Sequence, residues 1–435
     1  RVMTVKEKSQ ALAQQLLAKR YLASLKDNPE QYIGVELEFP IINTMGNETD
    51  VLVTKALFKH LQDVEEFIAI KQDEDGNPVQ LQHKINKDQI VFELSYNTIE
   101  FAFEKTKTIQ EVESRFQHYL GIIQPFLRDR QHQIEGKGIH PYWRINENQP
   151  VKIDRYKMLI QFLQLSGQDP NHRFHHYPDY GTFICGNQVQ LDVSRTNYLE
   201  IINAMNKVEP AKAYLFANSI FDGEDWDTKI SRDIFWEDSM HGYYQENVGV
   251  NPKAFINEQD FLEYLAKTAL FYVYREDEIL YFEPIRVEDY LAKEKIVAYR
   301  LDGARQEIKP QEEDLKNHRS YHFQDLTTRG TIEYRSVCTQ PLNKTFAPIA
   351  FQVGLHHNIK ELNEYLAQNI IFDFSKENPK ELRRQYSKKQ LTESELVKIK
   401  QYSLDLLKIS KRGLMNRGNQ EEIYLEEIIK ELGEC

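Results

Sequence analysis

The chain has 435 residues, of which 41% are hydrophobic, enough for a large core and, by length, for two or three domains. Its 55 Lys and Arg against 67 Asp and Glu give a net charge of −12, which argues against a nucleic-acid-binding surface because such a surface needs a basic stripe. Cys185, Cys338 and Cys435 lack the spacing of a disulfide scaffold or a zinc site. Since there is no stretch of 18 apolar residues and no signal-peptide pattern, we expect a cytoplasmic protein that contacts no membrane.

Periodicity and turn signals predict strands scattered between long helices. In chain order the predicted elements are a helix over 4–26, a strand over 32–40, a helix over 55–65, a hairpin around 72–80, a strand over 89–103, a helix over 108–127, strands over 134–142 and 181–194, helices over 197–221, 259–272 and 342–366, and a charged helical stretch over 376–435. Many strands have a polar alternate face, unlike the continuous apolar runs of a parallel sheet. The pattern predicts an α+β fold, with a large antiparallel sheet, helices on one face and a polar concavity on the other.

The stretch "YIGVELEFP" (32–40) shows the alternation most clearly. Val35, Leu37 and Phe39 fall on one face of the predicted strand. Glu36 and Glu38 fall on the other face. Taken alone, this pattern is typical of an antiparallel strand with one solvated face.

Three further segments repeat this one-faced polarity. Their polar residues are Glu93 and Glu100 in "FELSYNTIEF" (92–101), Gln188, Gln190 and Asp192 in "GNQVQLDVS" (186–194), and Glu333 and Arg335 in "RGTIEYRSV" (329–337). Each segment alone is also consistent with a solvated face, and Glu333 with Arg335 is also consistent with an ion pair within or across strands. Several such strands in one sheet indicate a deep polar site.

The residue types in these segments favour a metal that binds oxygen. Glutamates that face one another cannot all stay ionised unless cations lie between them. Oxygen ligands with few histidines point to Mg²⁺ or Mn²⁺ rather than zinc, and protein-bound Mg²⁺ usually also binds phosphate, so ATP is the expected partner. The sequence has no Walker A, GxGxxG, HExxH or GxSxG pattern. Metals and arginines, rather than a glycine loop, would therefore hold the phosphates.

The order of these segments resembles the glutamate–cysteine ligase superfamily, which includes bacterial carboxylate–amine ligases and shares its fold with glutamine synthetase. The similar segments are "GVELEF" (34–39), Glu93 with Glu100, "GKGIHPY" (136–142), "RYKML" (155–159), "NQVQLDVS" (187–194), "ANSIFDG" (217–223) with "SRDIFW" (231–236), and "RGTIEYRSVCTQP" (329–341). The resemblance runs in order over residues 32–341 and is loose after residue 376.

The resemblance implies a six-stranded antiparallel sheet that is curved into a funnel, with helices on its outer face. Carried over by position, the implied metal ligands are Glu36, Glu38, Glu93, Glu100, Gln188 and Glu333. Glu333 and Arg335 would be the catalytic residues, with Arg335 facing the transferred γ-phosphate. Arg232, Gln190 and Asn187 would bind substrate, with Arg232 meeting the carboxylate of glutamate.

Three departures from the family pattern leave the amino-acid specificity open. Glu93 stands where some members have aspartate, and Gln190 stands where the plant-like branch has asparagine. The Gly-Gly-Gln signature of that branch is absent around residues 95–97. All metal positions nevertheless keep an oxygen donor.

The implied reaction joins the γ-carboxylate of L-glutamate to the amine of L-cysteine through a γ-glutamyl phosphate, with ATP and Mg²⁺ or Mn²⁺ as cofactors, as in glutathione biosynthesis. The alternatives are a related ligase with another amine or carboxylate, a non-catalytic binding protein on the same fold, and a metal-dependent hydrolase. Residues 1–375 would form the catalytic domain, and residues 376–435 a helical extension that is separate or part of it. We expect small-molecule partners and no nucleic acid; the sequence leaves the oligomeric state open.

Overall fold

The fold is that of a computed structural model, which describes residues 1–433. Cys435 lies outside the described residues, and Cys185 and Cys338 are buried free thiols. The helices are α1 (Val5–Tyr21), α2 (Val51–Val64), α3 (Ile109–Arg128), α4 (Asp154–Gln164), α5 (Tyr198–Leu215), α6 (Ser231–Glu237), α7 (Glu258–Ala266), α8 (Val287–Tyr290), α9 (Ala347–His356), α10 (Ile359–Gln368), α11 (Pro379–Tyr386), α12 (Glu393–Arg417) and α13 (Glu426–Gly433). The strands are β1 (Ile33–Asn43), β2 (Phe67–Gln72), β3 (Pro78–His83), β4 (Gln89–Phe92), β5 (Thr98–Ala102), β6 (His132–Ile134), β7 (Gly186–Asp192), β8 (Val248–Gly249), β9 (Ala269–Arg275), β10 (Glu278–Arg286), β11 (Ile296–Tyr299), β12 (Arg305–Ile308), β13 (Tyr321–His322), β14 (Gln324–Leu326) and β15 (Thr331–Cys338).

Within residues 1–433, the main sheet has nine strands in the order β14-β15-β7-β1-β5-β4-β3-β2, with β6 paired to the end of β1. Every pair in this sheet is antiparallel. The predicted α+β fold with a large antiparallel sheet is therefore confirmed, although the sheet is larger than the six strands that the resemblance implies. Strands β9–β12 form a separate four-stranded sheet, and β8 pairs with β13.

The central strand β1 has one face in the hydrophobic core, as its alternation predicts. Val35, Leu37 and Phe39 are each 1% exposed. Phe39 stacks on Phe116 of α3 with the ring centroids 5.4 Å apart. Helices pack on this side of the sheet, which we call the back face; Glu36 points to the opposite side, which we call the front face.

The segment 89–103 is a hairpin rather than the single strand predicted from its β-branched and aromatic residues. A turn separates β4 from β5, and within it Leu94 adopts a positive φ of 64°. Ser95 Oγ accepts a hydrogen bond from the Asn97 amide at 3.2 Å, and Thr98 Oγ1 donates to the Glu93 carbonyl at 2.6 Å. These side-chain contacts to the backbone close the turn, which a count of β-forming residues overlooks.

Three other predicted segments have different bounds in the structure. Residues 134–142 are strand only at Ile134, residues 259–272 change from α7 to β9, and residues 342–366 contain α9 and most of α10 as separate helices. The switch from helix α7 to strand β9 has a local cause. Thr268 Oγ1 donates a hydrogen bond to the Leu265 carbonyl at 2.6 Å, and this carbonyl at the end of the helix would otherwise lack an intrahelical partner. The apolar run on either side fits both a helical and a strand period, so periodicity alone could not locate the boundary.

The C-terminal stretch is mainly helical up to residue 433, as predicted, and residues 434–435 of the predicted stretch lie outside the described residues. Helix α11 packs on α5, and α12 packs on α5 and α9. Ile399 and Leu406 of α12 belong to the same hydrophobic core as Val35. The division into domains at residues 375 and 376 stays a prediction. Within residues 1–433, no helix combines the length and apolar character needed to cross a membrane.

We expect Phe39→Ala to lower the free energy of unfolding by about 3–5 kcal/mol, because it removes the contact with Phe116 and leaves a cavity under β1. Urea titration followed by circular dichroism measures the change. Leu52→Ala is the control, since Leu52 on α2 is 72% exposed and its truncation should change stability by about 0.5 kcal/mol or less. Equal losses in the two variants would contradict the placement of Phe39 in the core.

Candidate functional site

The pairing of the central strands brings most of the predicted polar residues onto the front face. In antiparallel strands, directly opposed residues point to the same face, with Cβ atoms about 5 Å apart. The opposed pairs are Glu36 with Gln188, Glu38 with Glu100, Gln190 with Glu333, and Asp325 with Glu333. We call these residues, together with Glu93 from the turn before β5, the carboxylate row.

Carboxyl groups within the row influence one another's ionisation. Burial, followed by the charges of Glu93, Glu36 and Glu38, raises the pKa of Glu100 well above its ordinary value. Crowded carboxyls of this kind resist ionising together.

Glu36 and Glu38 also have raised pKa values, and burial is the main cause. Burial raises the pKa of Glu36 to about 7, with the charges of Glu333 and Glu93 as further causes. Burial raises the pKa of Glu38 to about 8; Glu93 adds to the shift and Arg232 opposes it. Bringing these carboxyls to their ionised form on this face requires positive charge among them.

The position of the Gln188 amide between two carboxylates bears on whether the row could bind a cation. It lies 3.3 Å from Glu36 Oε2 and 2.9 Å from Glu333 Oε1. With its nitrogen turned inward the amide donates to both carboxylates, whereas with its oxygen turned inward it completes a set of oxygen atoms that a hard divalent cation binds. The donor chemistry therefore fits Mg²⁺ or Mn²⁺, although no group of three or more His, Cys, Asp or Glu side chains in residues 1–433 is already arranged as a metal site.

Glu333 and Arg335 lie on the front face of β15 and form an ion pair. Arg335 also donates from Nη2 to Asp325 Oδ2 at 3.0 Å and from Nε to the His322 carbonyl at 3.1 Å. The structure thus shows the ion pair that the sequence left open, and the role of Arg335 towards a phosphate stays a prediction. The sequence analysis did not identify Asp325, because its strand β14 is too short to show a periodic pattern. The available sequence signal for the hairpin of β14 and β15 was the glycine at position 330, which has a φ of 76° in the turn.

Arg232 lies beside the Glu38 end of the row, in the first turn of α6. Its guanidinium covers Gly186, where a Cβ atom would lie 2.5 Å from Nη2. The Gly186 amide in turn donates to Glu38 Oε1 at 3.0 Å. Arg232 is 6% exposed, donates from Nη1 to the Val337 carbonyl at 3.4 Å, and has a buried Nε that finds no hydrogen-bond partner among residues 1–433. A buried guanidinium with a spare donor is suited to bind an anionic group.

A cavity of about 700 Å³ opens over the Glu36 end of the row. Its walls carry basic side chains from the described part of the chain, namely Arg20, Lys87, Arg155, Lys316, Arg319, Arg329 and Arg335. Basic walls over an acidic floor suit a polyphosphate with its cation. Arg155, Arg329 and Arg335 lie in segments that the sequence singled out. The others were missed because nothing in their local sequence distinguishes them from solvated charges.

The loop that carries Arg319 is fixed by its neighbour His318. Tyr21 Oη lies 2.7 Å from His318 Nδ1, and Arg20 Nη2 donates to the His318 carbonyl at 2.9 Å. Burial alone would lower the pKa of Arg319, but Tyr321 and carboxylates of the row outweigh it and raise the pKa. Through these contacts with His318, helix α1 helps to fix the loop that carries the positive charge of Arg319.

The structure separates the two predicted substrate-binding residues of β7. Gln190 lies in the row and accepts hydrogen bonds from Arg329 Nη2 at 2.9 Å and Thr331 Oγ1 at 3.1 Å. Asn187 lies on the back face, is 2% exposed and donates to the Thr345 carbonyl at 2.9 Å. The structure therefore does not bring Asn187 together with the other predicted site residues, because neighbouring residues of a strand point to opposite faces.

The raised pKa of Glu38 predicts a pH-dependent difference between the wild type and Glu38→Gln. Unfolded glutamate ionises near pH 4.3, whereas folded Glu38 keeps its proton up to a pKa of about 8. The folded chain therefore binds more protons in this interval, and this contribution to stability is lost as pH rises through it. Glutamine cannot ionise, so we expect Glu38→Gln to gain stability relative to the wild type as pH rises, by on the order of 2 kcal/mol.

Urea titrations of both proteins in EDTA between pH 5 and 9 measure this difference. Taking the difference removes the opposite contribution of buried histidines such as His140, whose pKa burial lowers to about 4. A difference that stays constant over the whole pH range would contradict the raised pKa of Glu38.

Curated relatives of the chain are plant enzymes. The chain is 23% identical over 305 residues to the chloroplastic glutamate–cysteine ligase of Solanum lycopersicum and 23% identical over 302 residues to that of Nicotiana tabacum. Each alignment covers 67% of this chain and 53% of the relative. The chain thus spans about half the length of the curated relatives that it matches.

Among solved structures, the chain is similar to the glutamate–cysteine ligase of Francisella tularensis in complex with AMP, with 11% identity, a TM-score of 0.47, and coverage of 94% of this chain and 83% of that chain. It is also similar to a bifunctional glutathione synthetase from Pasteurella multocida, with 12% identity, a TM-score of 0.44, and coverage of 96% and 47%. The family described as glutamate-cysteine ligase family 2 matches residues 32–417, which include the whole carboxylate row. The chain belongs to this glutamate–cysteine ligase family.

Proposed function

We propose that this chain catalyses the ATP-dependent ligation of the γ-carboxylate of L-glutamate to the amine of L-cysteine, giving γ-glutamylcysteine. The observation that carries the proposal is the carboxylate row, with a basic cavity at its Glu36 end and the buried Arg232 at its Glu38 end. Membership of the glutamate–cysteine ligase family supports the class of reaction. The curated relatives, which are named glutamate–cysteine ligases, support the choice of substrates.

The two ends of the row would receive the two anionic substrates. Glu36 and Glu38 are i and i+2 neighbours, about 7 Å apart along β1. The basic walls at the Glu36 end would hold the triphosphate of ATP. At the Glu38 end, the spare donor of Arg232 would bind the carboxylate of glutamate. The γ-carboxylate and the γ-phosphate would then meet over the row.

Two anions react readily only if their charges are neutralised as they approach. The residues that would hold Mg²⁺, or Mn²⁺ in its place, are Glu36, Glu38, Glu93, Glu100, Gln188 and Glu333. A bound cation would supply neutralisation of the phosphate oxygens. Arg335 lines the same cavity and would add positive charge beside the transferred phosphate.

The proposed reaction has two steps. A γ-carboxylate oxygen of glutamate attacks the γ-phosphorus of ATP, and ADP leaves. The cysteine amine then attacks the carbonyl carbon of γ-glutamyl phosphate, phosphate leaves, and the amine loses a proton to solvent. The acyl phosphate hydrolyses if water reaches it, so the site must exclude water. The low exposure of Arg232, 6%, indicates an enclosed environment at the Glu38 end.

Mass spectrometry of the products formed from ATP, Mg²⁺, L-glutamate and an amino-acid mixture tests the proposal directly. We expect γ-glutamylcysteine, ADP and phosphate in equal amounts. No ATP consumption with any amino acid would overturn the proposal.

A second candidate is a carboxylate–amine ligase that uses another amine or carboxylate. Gln190 favours it, because this residue differs from the plant-like branch and lies in the row beside Glu333. A different adduct in the same product experiment would establish this candidate and exclude cysteine as the acceptor.

We expect Glu333→Gln to lower product formation by about 100-fold or more, because the substitution keeps the shape of the side chain and removes a negative charge from the metal-binding set. Phosphate release and product mass measure the loss, and the unfolding midpoint checks that the fold is retained. Glu307→Gln on β12 is the matched control, since the Glu307 side chain is 62% exposed. Full activity of Glu333→Gln would contradict the metal assignment.

Arg232→Lys tests the proposed glutamate end of the site. We expect the KM for glutamate to rise about 10- to 100-fold, because lysine lacks the forked donors that bind a carboxylate. The KM for ATP should stay within about twofold, since ATP would lie at the other end of the row. Arg305→Lys on the exposed strand β12 serves as the control. A rise confined to the KM for ATP would reverse the assignment of the two ends.

A further inference from the structure

A buried ion network lies behind the carboxylate row, on the back face of the sheet. Its charged members are Glu209 and Lys212 of α5, Asp233 of α6 and Arg383 of α11. They are 0%, 1%, 4% and 2% exposed, respectively. The carboxylates of Glu209 and Asp233 balance the two cations. Such a network is stable only while every member is present, because removing one partner leaves a buried unpaired charge.

Arg383 connects the parts of this network. Its Nε and Nη2 donate to Asp233 Oδ2 at 2.8 Å and Oδ1 at 3.1 Å, its Nη1 donates to Glu209 Oε2 at 2.7 Å, and its Nη2 also donates to the Ser336 carbonyl at 2.9 Å. The two parallel bonds to Asp233 need the planar fork of a guanidinium. A lysine would keep the charge but could not form this pair.

The partners of Arg383 are chain neighbours of site residues. Asp233 follows Arg232 on α6, and Ser336 follows Arg335 on β15. The pairing of β15 with β7 shifts register between Tyr334 and Val337, so Arg335 and Ser336 lie in an irregular part of the strand. The hydrogen bond from Arg383 to the Ser336 carbonyl restrains the backbone there, one residue from Arg335. Arg383 therefore contacts the side chain of the residue that follows Arg232 and the carbonyl of the residue that follows Arg335.

Arg232 depends on this support more than Arg335 does. Arg335 has its own front-face partners in Asp325 and Glu333. Arg232 has only the 3.4 Å contact to the Val337 carbonyl among the side-chain hydrogen bonds of residues 1–433. The place of its guanidinium is thus set mainly by the position of α6.

We propose that Arg383 is a positioning residue for the ligation, which holds α6 against β15 so that Arg232 keeps its place beside Glu38. The proposal rests on the proposed function, because it assigns Arg232 to the glutamate end of the site. It makes the C-terminal helical segment part of the working site, although that segment contributes no side chain to the carboxylate row.

Arg383→Lys in the full chain tests the proposal. We expect a 10- to 100-fold rise in the KM for glutamate, because small displacements of a substrate-binding group have effects of this size. The KM for ATP should change by less than about twofold. Arg412→Lys is the matched control, since Arg412 pairs with Glu361 at the surface and its side chain is 53% exposed. A folded Arg383→Lys protein with an unchanged KM for glutamate, or with equal rises in both KM values, would overturn the proposal.

Hydrogen–deuterium exchange provides a readout that needs no substrate. We expect faster amide exchange in residues 231–237 of Arg383→Lys, and no change there in Arg412→Lys. If the wild type neither binds glutamate in calorimetry nor consumes ATP, the proposed function fails while the exchange result still tests the positioning. If Arg383→Lys does not fold, Asp233→Glu keeps every charge of the network while it changes the geometry of the same pair, and it should give the same glutamate-specific change; normal exchange and kinetics in that variant would overturn the proposal.

Discussion

The crowding of partly buried carboxyl groups on one face of the sheet is the constraint on which the rest of this structure depends. Burial, followed by the charges of neighbouring glutamates, raises the pKa values of Glu36, Glu38 and Glu100. The sheet tolerates this crowding because its back face is packed against helices. Val35 and Phe39, each next in the chain to one of the two β1 glutamates, lie in the hydrophobic core. Apolar burial on the back therefore offsets charge crowding on the front.

The compensating positive charge comes from parts of the chain that are far apart in sequence. Arg20 belongs to α1, which precedes the family match at residues 32–417, yet it lines the cavity. Arg232 is supplied by α6, and Arg383, from the stretch that the sequence set apart as an extension, supports α6 from behind. The sheet supplies the negative charges, and helices and loops around it supply much of the positive charge. The site therefore requires the tertiary fold of most of the chain.

Period-two alternation made the faces of the strands predictable, since the face of a residue depends only on its chain neighbours. The same rule separates Gln188 from Asn187, although the resemblance assigned both to the site. Strand register was not predictable: Glu38 lies opposite Glu100 because of how β1 pairs with β5 across the chain. The position of Arg319 was not predictable either, because contacts from α1 to its loop are distant in sequence. Local patterns thus identified the row but not the charges that surround it.

Gly186 leaves room for the guanidinium of Arg232. The guanidinium of Arg232 occupies the space that a side chain at this position would need, since a Cβ there would lie 2.5 Å from Nη2 and 3.3 Å from Glu38 Oε1. Any larger residue would push the arginine away from the carboxylate beside it. The absence of a side chain on β7 at this position therefore helps to set where the Arg232 guanidinium lies relative to Glu38.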